Sequence, residues 1–400
     1  MANAPTTDTP ATDLPRGARP LFIAAIAALM GIGQSSLLVS LPVLVEQSGL
    51  SLSTWSVLIA LGSVLFLPAA PFWGRMSDRI GPKPVVLTAL CGLLVSFGGL
   101  LVGVILAGQN RWPEAGIIAG LALARVIYGC TVAGMVPAAQ HWAIASCGEV
   151  HRLQAVTTIS AGLSTGRLAG PLLAMLAITW HPLAPFALMT VFPAIALVLA
   201  LPLKAPALPS APSPADTANS RPGRALLPFL LTGAALGCTI SLLQYTLSPL
   251  LAALTTWSTP EITRAIGLLL TLSAAVTLLV QLTALKKQHL HSHTLYRGGA
   301  VALTLGFALC LFPSWMALIP AMAILSAGAA MLVPAYTTRA TQVQSGGHGL
   351  VAGYLAMSHT VGYGLAALLA ATSSYSVQLP IGLCLGFAGL ILGIAIRASR

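Results

Sequence analysis

Acidic side chains are scarce in this chain: eight Asp and Glu stand against nineteen Lys and Arg in 400 residues. Charged residues of either sign make up 7%, where a soluble globular chain carries about a quarter. That scarcity excludes an ordinary water-soluble domain. The six cysteines (Cys91, Cys130, Cys147, Cys238, Cys310 and Cys384) show no C-x-x-C spacing and fall within or at the ends of apolar runs. They read as small buried side chains and not as a disulfide framework or a zinc site. No G-x-x-x-x-G-K-[ST] loop is present, which argues against direct drive by ATP. The apolar runs hold no His/Asp/Glu cluster and no Ser or Cys beside a base, so no enzymatic activity, cofactor or metal is expected.

What the chain has instead is hydrophobic length. Apolar residues make up 56%, with a mean hydropathy of +0.89. A helix needs about twenty apolar residues to cross a bilayer. Applied along the sequence, that criterion predicts an all-α polytopic membrane protein with twelve spans. They are residues 21–45, 55–72, 85–106, 115–145, 153–180, 184–203, 225–251, 266–285, 295–312, 316–336, 350–372 and 379–396. Residues 1–20, rich in Pro, Thr and Ala, read as a disordered cytoplasmic tail that is not cleaved. Residues 204–224, rich in Pro, Ala and Ser, read as a cytoplasmic linker between bundles at 21–203 and 225–397.

The net charge of +11 does not imply a nucleic-acid partner, because the cations are dispersed between apolar runs. With the N-terminus inside, the inner loops and tails hold Arg16, Arg19, Arg75, Arg79, Lys83, Arg152, Lys204, Arg221, Arg224, Lys286, Lys287, Arg297, Arg339, Arg397 and Arg400, while the outer ones hold only Arg111 and Arg264. That asymmetry predicts cytoplasmic N- and C-termini. The halves also echo one another. Pro42 and Pro249 end spans one and seven, and Pro137 and Pro334 lie at matching places in spans four and ten. Such matches are expected of a duplicated six-helix unit built around a central cavity.

The densest charge lies in the stretch from Gly74 to Lys83, which reads as a tight turn between two spans. Its pattern G-x-x-x-D-R-x-G-x-K, with Gly74, Asp78, Arg79, Gly81 and Lys83, resembles the signature loop of the major facilitator superfamily. Pro82 stands where the family has a second cation. Arg125 with Gly129 resembles the family's fourth-helix motif, which implies a role for the arginine in substrate binding or proton coupling. Gly162, Gly166 and Gly170-Pro171 resemble the glycine-proline motif of its exporter or antiporter branch, although Ala174 replaces a glycine and Arg167 lies inside the motif. The resemblance implies alternating access, a small-molecule substrate, protons as coupling ion and a monomer in the inner or plasma membrane. Glycines spaced by four also place a smooth stripe on one helix face, where a neighbour can approach closely.

Two cations, Arg125 and Arg167, lie well inside predicted spans, whereas no Asp or Glu does. An arginine near the bilayer centre costs about 2.5 to 3.5 kcal/mol on insertion scales, so both are expected to turn toward a watery interior. Arg167 shares a face with Ser164 and Ser160, a polar stripe suited to a cavity wall. Gln34, Gln244 and Tyr363 are the expected further lining residues. Proton coupling would fall to His141 or His359, whose imidazoles titrate near neutrality, or to Glu46 or Asp78. A cavity with cations and no anion favours a substrate bearing carboxylate or phosphate. Export is the leading expectation. Import of an organic anion or siderophore by symport and a non-transporting sensor or scaffold are the alternatives.

Two further expectations concern inner loops. Asp78 should face the amino end of the helix starting near Leu350, where free N–H groups welcome an anion, with Gly346-Gly347 easing the approach. His289, His291 and His293 alternate in a basic loop. That spacing alone is poor ligand geometry, so an exposed loop is expected there and no metal site.

Overall fold

The computed structural model describes residues 20–109, 112–203, 223–257, 259–283, 291–343 and 348–397. The tail at 1–19, most of the linker, Gly346-Gly347 and His289 lie outside them. Among the described residues there is no strand. The α-helices are α1 (Pro20–Val39), α2 (Leu41–Ser48), α3 (Leu52–Ile80), α4 (Pro82–Gly108), α5 (Glu114–Val132), α6 (Met135–Cys147), α7 (Arg152–Ile178) and α8 (Ala184–Ala200) in the first half. The second half has α9 (Leu227–Leu254), α10 (Thr259–Thr283), α11 (Ser292–Cys310), α12 (Trp315–Val343), α13 (His348–Ala370) and α14 (Leu379–Arg397).

These make twelve crossings, because α1 with α2 and α5 with α6 are each one span broken in the middle. Nine of the described helical segments are long and apolar enough to cross a membrane by composition alone. The breaks have local causes. Pro42 opens α2 and Pro137 sits in the first turn of α6; neither has an N–H to give to the carbonyl four residues back. The matching Pro249 and Pro334 lie inside the continuous helices α9 and α12. The internal echo therefore holds in position and fails in local geometry.

Several spans run longer than the apolar criterion predicted, two of them at their C-terminal ends by seven residues or more. The helix α3 continues past Phe72 to Ile80, and α12 continues past Tyr336 to Val343. The criterion measures bilayer thickness, whereas a helix goes on until its backbone is capped or turned. Asp78 and Arg79 accordingly ride on the last helical turn, and the expected loop shrinks to Gly81. That residue has φ +90°, a conformation glycine tolerates without steric cost.

Most of the buried core falls in two clusters, one drawn from Ile23 to Ala200 and the other from Leu226 to Ala395. Between them α13 packs on α3 and α6, and α7 packs on α10 and α12. Lipid removes most of the hydrophobic drive between helices, so small residues that admit close backbone contact carry these interfaces. Ala69, Ala70 and Ala133 form a small cluster against which Ala356 of α13 packs. One end of the bundle carries Gly81 and the other carries Glu46. Three cysteines depart from their reading as buried: Cys91 and Cys130 are exposed and Cys147 is half-buried, while Cys238, Cys310 and Cys384 are buried.

Candidate functional site

At the Gly81 end the two halves are tied by polar contacts built on the last turns of α3. The Asp78 carboxylate accepts the Gly349 N–H at 2.9 Å and the Leu350 N–H at 2.8 Å. Both donors belong to the first turn of α13, where N–H groups have no partner within the helix. The approach is close because side chains are missing on both faces. A Cβ on Gly74 would strike the Gly349 carbonyl, and one on Gly353 would strike that of Ala70. One turn along, Arg75 donates to the Tyr354 hydroxyl at 2.6 Å, with its guanidinium 5.8 Å from that ring's centroid. From α7, Arg152 donates to the Thr341 hydroxyl of α12 at 3.1 Å.

The other members of the predicted gate do different work. Lys83 stays within its own half, donating to the Leu201 and Leu203 carbonyls at 2.7 and 2.6 Å beyond the end of α8. Arg79 is exposed. His141, expected beside substrate, is instead part of this end: its Nδ1 lies 2.8 Å from the Ser77 hydroxyl and 3.6 Å from Asp78 Oδ1. Sequence reasoning missed Arg75, Arg152, Gly349, Gly353 and Tyr354. The spacing of four between Gly349 and Gly353 was the available signal for the crossing.

Farther into the bundle the two interior arginines part ways. Arg125 is 3% exposed, with its guanidinium 4.2 Å from the centroid of the Tyr128 ring. It also presses on Gly62, where a Cβ would come within 2.9 Å of Nη2. Its buried Nε and Nη1 have no hydrogen-bond partner among the described residues. Tyr128 is itself buried against Phe66 and Phe97, with the Gln34 side chain beside its hydroxyl. Arg125 therefore sits behind a tyrosine wall and does not present itself as a first contact for substrate.

Arg167 is exposed and within electrostatic reach of both Tyr128 and His359. Those two residues belong to opposite halves. The stripe of Arg167 is weaker than expected, because buried Ser160 donates back to the Val156 carbonyl. His359 is hydrogen-bonded through Nε2 to the Tyr336 hydroxyl, with the rings edge to face at 85° and 6.0 Å between centroids. Tyr336 is fully buried and Tyr363 is 40% exposed. Gln244 is exposed on α9. Tyr363 is within electrostatic reach of Tyr336, so the set brought together is Gln34, Tyr128, Arg167, His359, Tyr336 and Tyr363.

The glycine stripe of α7 packs on α1. A Cβ on Gly162 would meet the Ala24 carbonyl, one on Gly166 that of Ala28, and one on Gly170 the hydroxyl of Ser35. Ser36 of α1 donates to the Gly170 carbonyl at 2.7 Å, just before Pro171 inside α7. This crossing lies within one half. The His291 and His293 rings are tilted at 49° to one another with centroids 5.5 Å apart.

A family model described as Major Facilitator Superfamily matches residues 23–367. The chain is similar to the multidrug resistance protein MdtG of Proteus mirabilis (strain HI4320), 31% identical over 150 residues that make up 36% of this chain and 34% of that protein. It is also similar to the bacillibactin exporter of Bacillus subtilis (strain 168), 27% identical over 173 residues, 42% of this chain and 40% of that one. These matched stretches span about a third to two-fifths of the curated relatives' lengths. Among solved structures, the human organic anion transporter MFSD10 (TETRAN) superposes with a TM-score of 0.70 at 20% identity, covering 94% of this chain and 97% of that chain. A bacterial homologue of the iron transporter ferroportin in the outward-facing state gives 0.73 at 14% identity, covering 96% and 100%. At these identities the likeness to solved structures is one of fold.

Proposed function

The chain belongs to the major facilitator superfamily and is an integral membrane transporter; from that premise we propose that it exports a small anionic or amphipathic molecule by alternating access, coupled to protons. The inner membrane is its place, and the positive bias of the loops puts the Gly81 end and both termini in the cytoplasm. Export is supported by the similarity to proteins named as a multidrug resistance protein and a bacillibactin exporter. The contacts of Asp78, Arg75 and Arg152 then hold the cytoplasmic side shut, leaving access from outside.

The substrate class rests on the exposed Arg167 guanidinium, within electrostatic reach of His359 of the other half, together with the lack of any Asp or Glu in the middle of a span. A site of that sign attracts carboxylate or phosphate and repels cations. Arg125 reinforces the potential from behind Tyr128 without touching the ligand. Transport of paired anionic and cationic compounds into inside-out vesicles tests the assignment. Anions should be preferred, and Arg167→Gln should abolish the preference while leaving melting unchanged. Preference for the cations would refute it.

A second reading is anion symport, favoured by the closeness of Arg167 to His359. An anion held at Arg167 and a proton on His359 relieve each other's charge, so the two bind together and would travel in the same direction. Imposed proton gradients of opposite sense separate the readings: export by antiport requires accelerated loss of substrate against an inward gradient.

A further inference from the structure

Tyr296 of α11 and Thr232 of α9 are fully buried in the second half, and the site described above makes no use of them. Their hydroxyl oxygens are 2.6 Å apart. Thr232 donates to the Pro228 carbonyl at 2.9 Å, so its proton points toward the first turn of α9 and its oxygen is left to accept from Tyr296. Tyr296 also neighbours Tyr336 of α12, with ring centroids 6.4 Å apart and the two phenols within electrostatic reach of one another. Tyr336 is in turn hydrogen-bonded to His359 of α13. Packing keeps the series together. A Cβ on Gly233, next to Thr232, would stand 3.3 Å from the His359 ring, and the Phe229 ring lies 6.2 Å from that of Tyr296.

The series runs from the middle of the bundle to one end. His359 lies about 16 Å along α13 from His348, whereas Pro228 is in the first turn of α9, and both helices start at the Gly81 end. Gly223 and Arg224, just before that turn, are exposed. From residue 262 onward the sequence has no Asp or Glu, so hydroxyls and imidazoles are what this half offers a moving proton. Polar chains of this kind inside a membrane bundle are costly and mark proton routes. We propose that Tyr336, Tyr296 and Thr232 conduct protons between His359 and the Gly81 end. The His359 imidazolium gives its Nε2 proton to the Tyr336 oxygen as Tyr336 releases its own to Tyr296. Tyr296 passes one to Thr232, and Thr232 passes one to water at the Pro228 carbonyl. Each hydroxyl gains a proton and loses one, leaving neutral imidazole at one end and hydronium at the other. The step between the two phenols has no direct hydrogen bond, and there the chain breaks and joins. The neighbouring titratable and charged groups are Arg167 by His359, Tyr363 by Tyr336 and Arg339 by Tyr296. A guanidinium stays protonated, so neither arginine draws the proton off. The path takes its purpose from the proton coupling proposed above, and its test needs no substrate.

The full chain is reconstituted into liposomes loaded with the pH dye pyranine, a pH gradient is imposed, and potassium with valinomycin clamps the potential. The proton itself is the probe. The wild type should acidify the lumen faster than protein-free liposomes do. Tyr296→Phe keeps the ring and removes one hydroxyl from the chain, and should slow proton entry about ten-fold, the kinetic effect of one lost hydrogen bond. Thr232→Val keeps the shape and should do the same, whereas Thr232→Ser keeps the hydroxyl and should conduct as the wild type does. A purely structural threonine would not separate Val from Ser in this way, and melting of each variant is read alongside. Wild-type entry no faster than in protein-free liposomes, or Thr232→Val conducting as fast as Thr232→Ser, overturns the path. Export driven by imposed proton gradients is a separate measurement: a protein that conducts while its transport ignores the gradient keeps the path and loses the coupling.

Discussion

Asp78→Asn is the substitution whose consequence follows most directly from the geometry. The carboxylate accepts two N–H groups, at 2.9 and 2.8 Å, one on each oxygen. Asparagine keeps one acceptor and turns an NH₂ toward the second donor, so one bond is lost and the favourable charge at the amino end of α13 disappears. A hydrogen bond to a charged group is worth about 1.5 to 3 kcal/mol, and an anion at a helix amino end about 0.3 to 1 kcal/mol. Against these stands the desolvation of a carboxylate whose side chain is only 16% exposed, a cost the neutral amide largely escapes. The net loss is then on the order of 1 to 2 kcal/mol, equivalent to a roughly 5- to 30-fold shift between conformations. The backbone crossing at Gly74 and Gly349 is unchanged, so the helices themselves persist. Spin labels placed on the Gly81 ends of α3 and α13 report the outcome as a distance distribution in reconstituted membranes. A second, longer population should grow in the variant, with accessibility rising at that end and falling at the other. An unaltered distribution in a folded variant would show that Asp78 does not hold the halves together.

The two glycine crossings should respond differently to an added side chain. Gly166→Val collides with α1 inside one half and should cost about 1 to 3 kcal/mol of stability, read as a lower melting temperature. Gly74→Val collides with α13 across the halves and should leave melting nearly intact while abolishing cross-linking between α3 and α13. Tyr336→Phe removes the hydroxyl bonded to His359, a loss of about 0.5 to 1.5 kcal/mol. If His359 carries the proton, the pH profile of transport should move in that variant with little change in melting; an unmoved profile would take His359 out of the coupling path.

The sequence by itself determined the number of crossings, the charged sequence at Gly74 to Lys83 and the acceptor role of Asp78. A helix in lipid satisfies its own backbone, so hydrophobic length alone identifies a span. A carboxylate at a span's end, facing the predicted start of another helix, has few better partners than unbonded N–H groups. What composition could not supply was the direction in which side chains on a mostly apolar helix face. Arg125 and Arg167 look alike in sequence, each a lone cation among apolar neighbours. Only the packed bundle seals the first beneath Tyr128 and leaves the second exposed. His141 and His359 likewise separate, one to the closed end and the other to Tyr336. The reason is that helix rotation in a membrane is set by where small residues let backbones approach. Those residues, among them Gly31, Gly62, Gly74 and Gly349, meet partners far away in the chain.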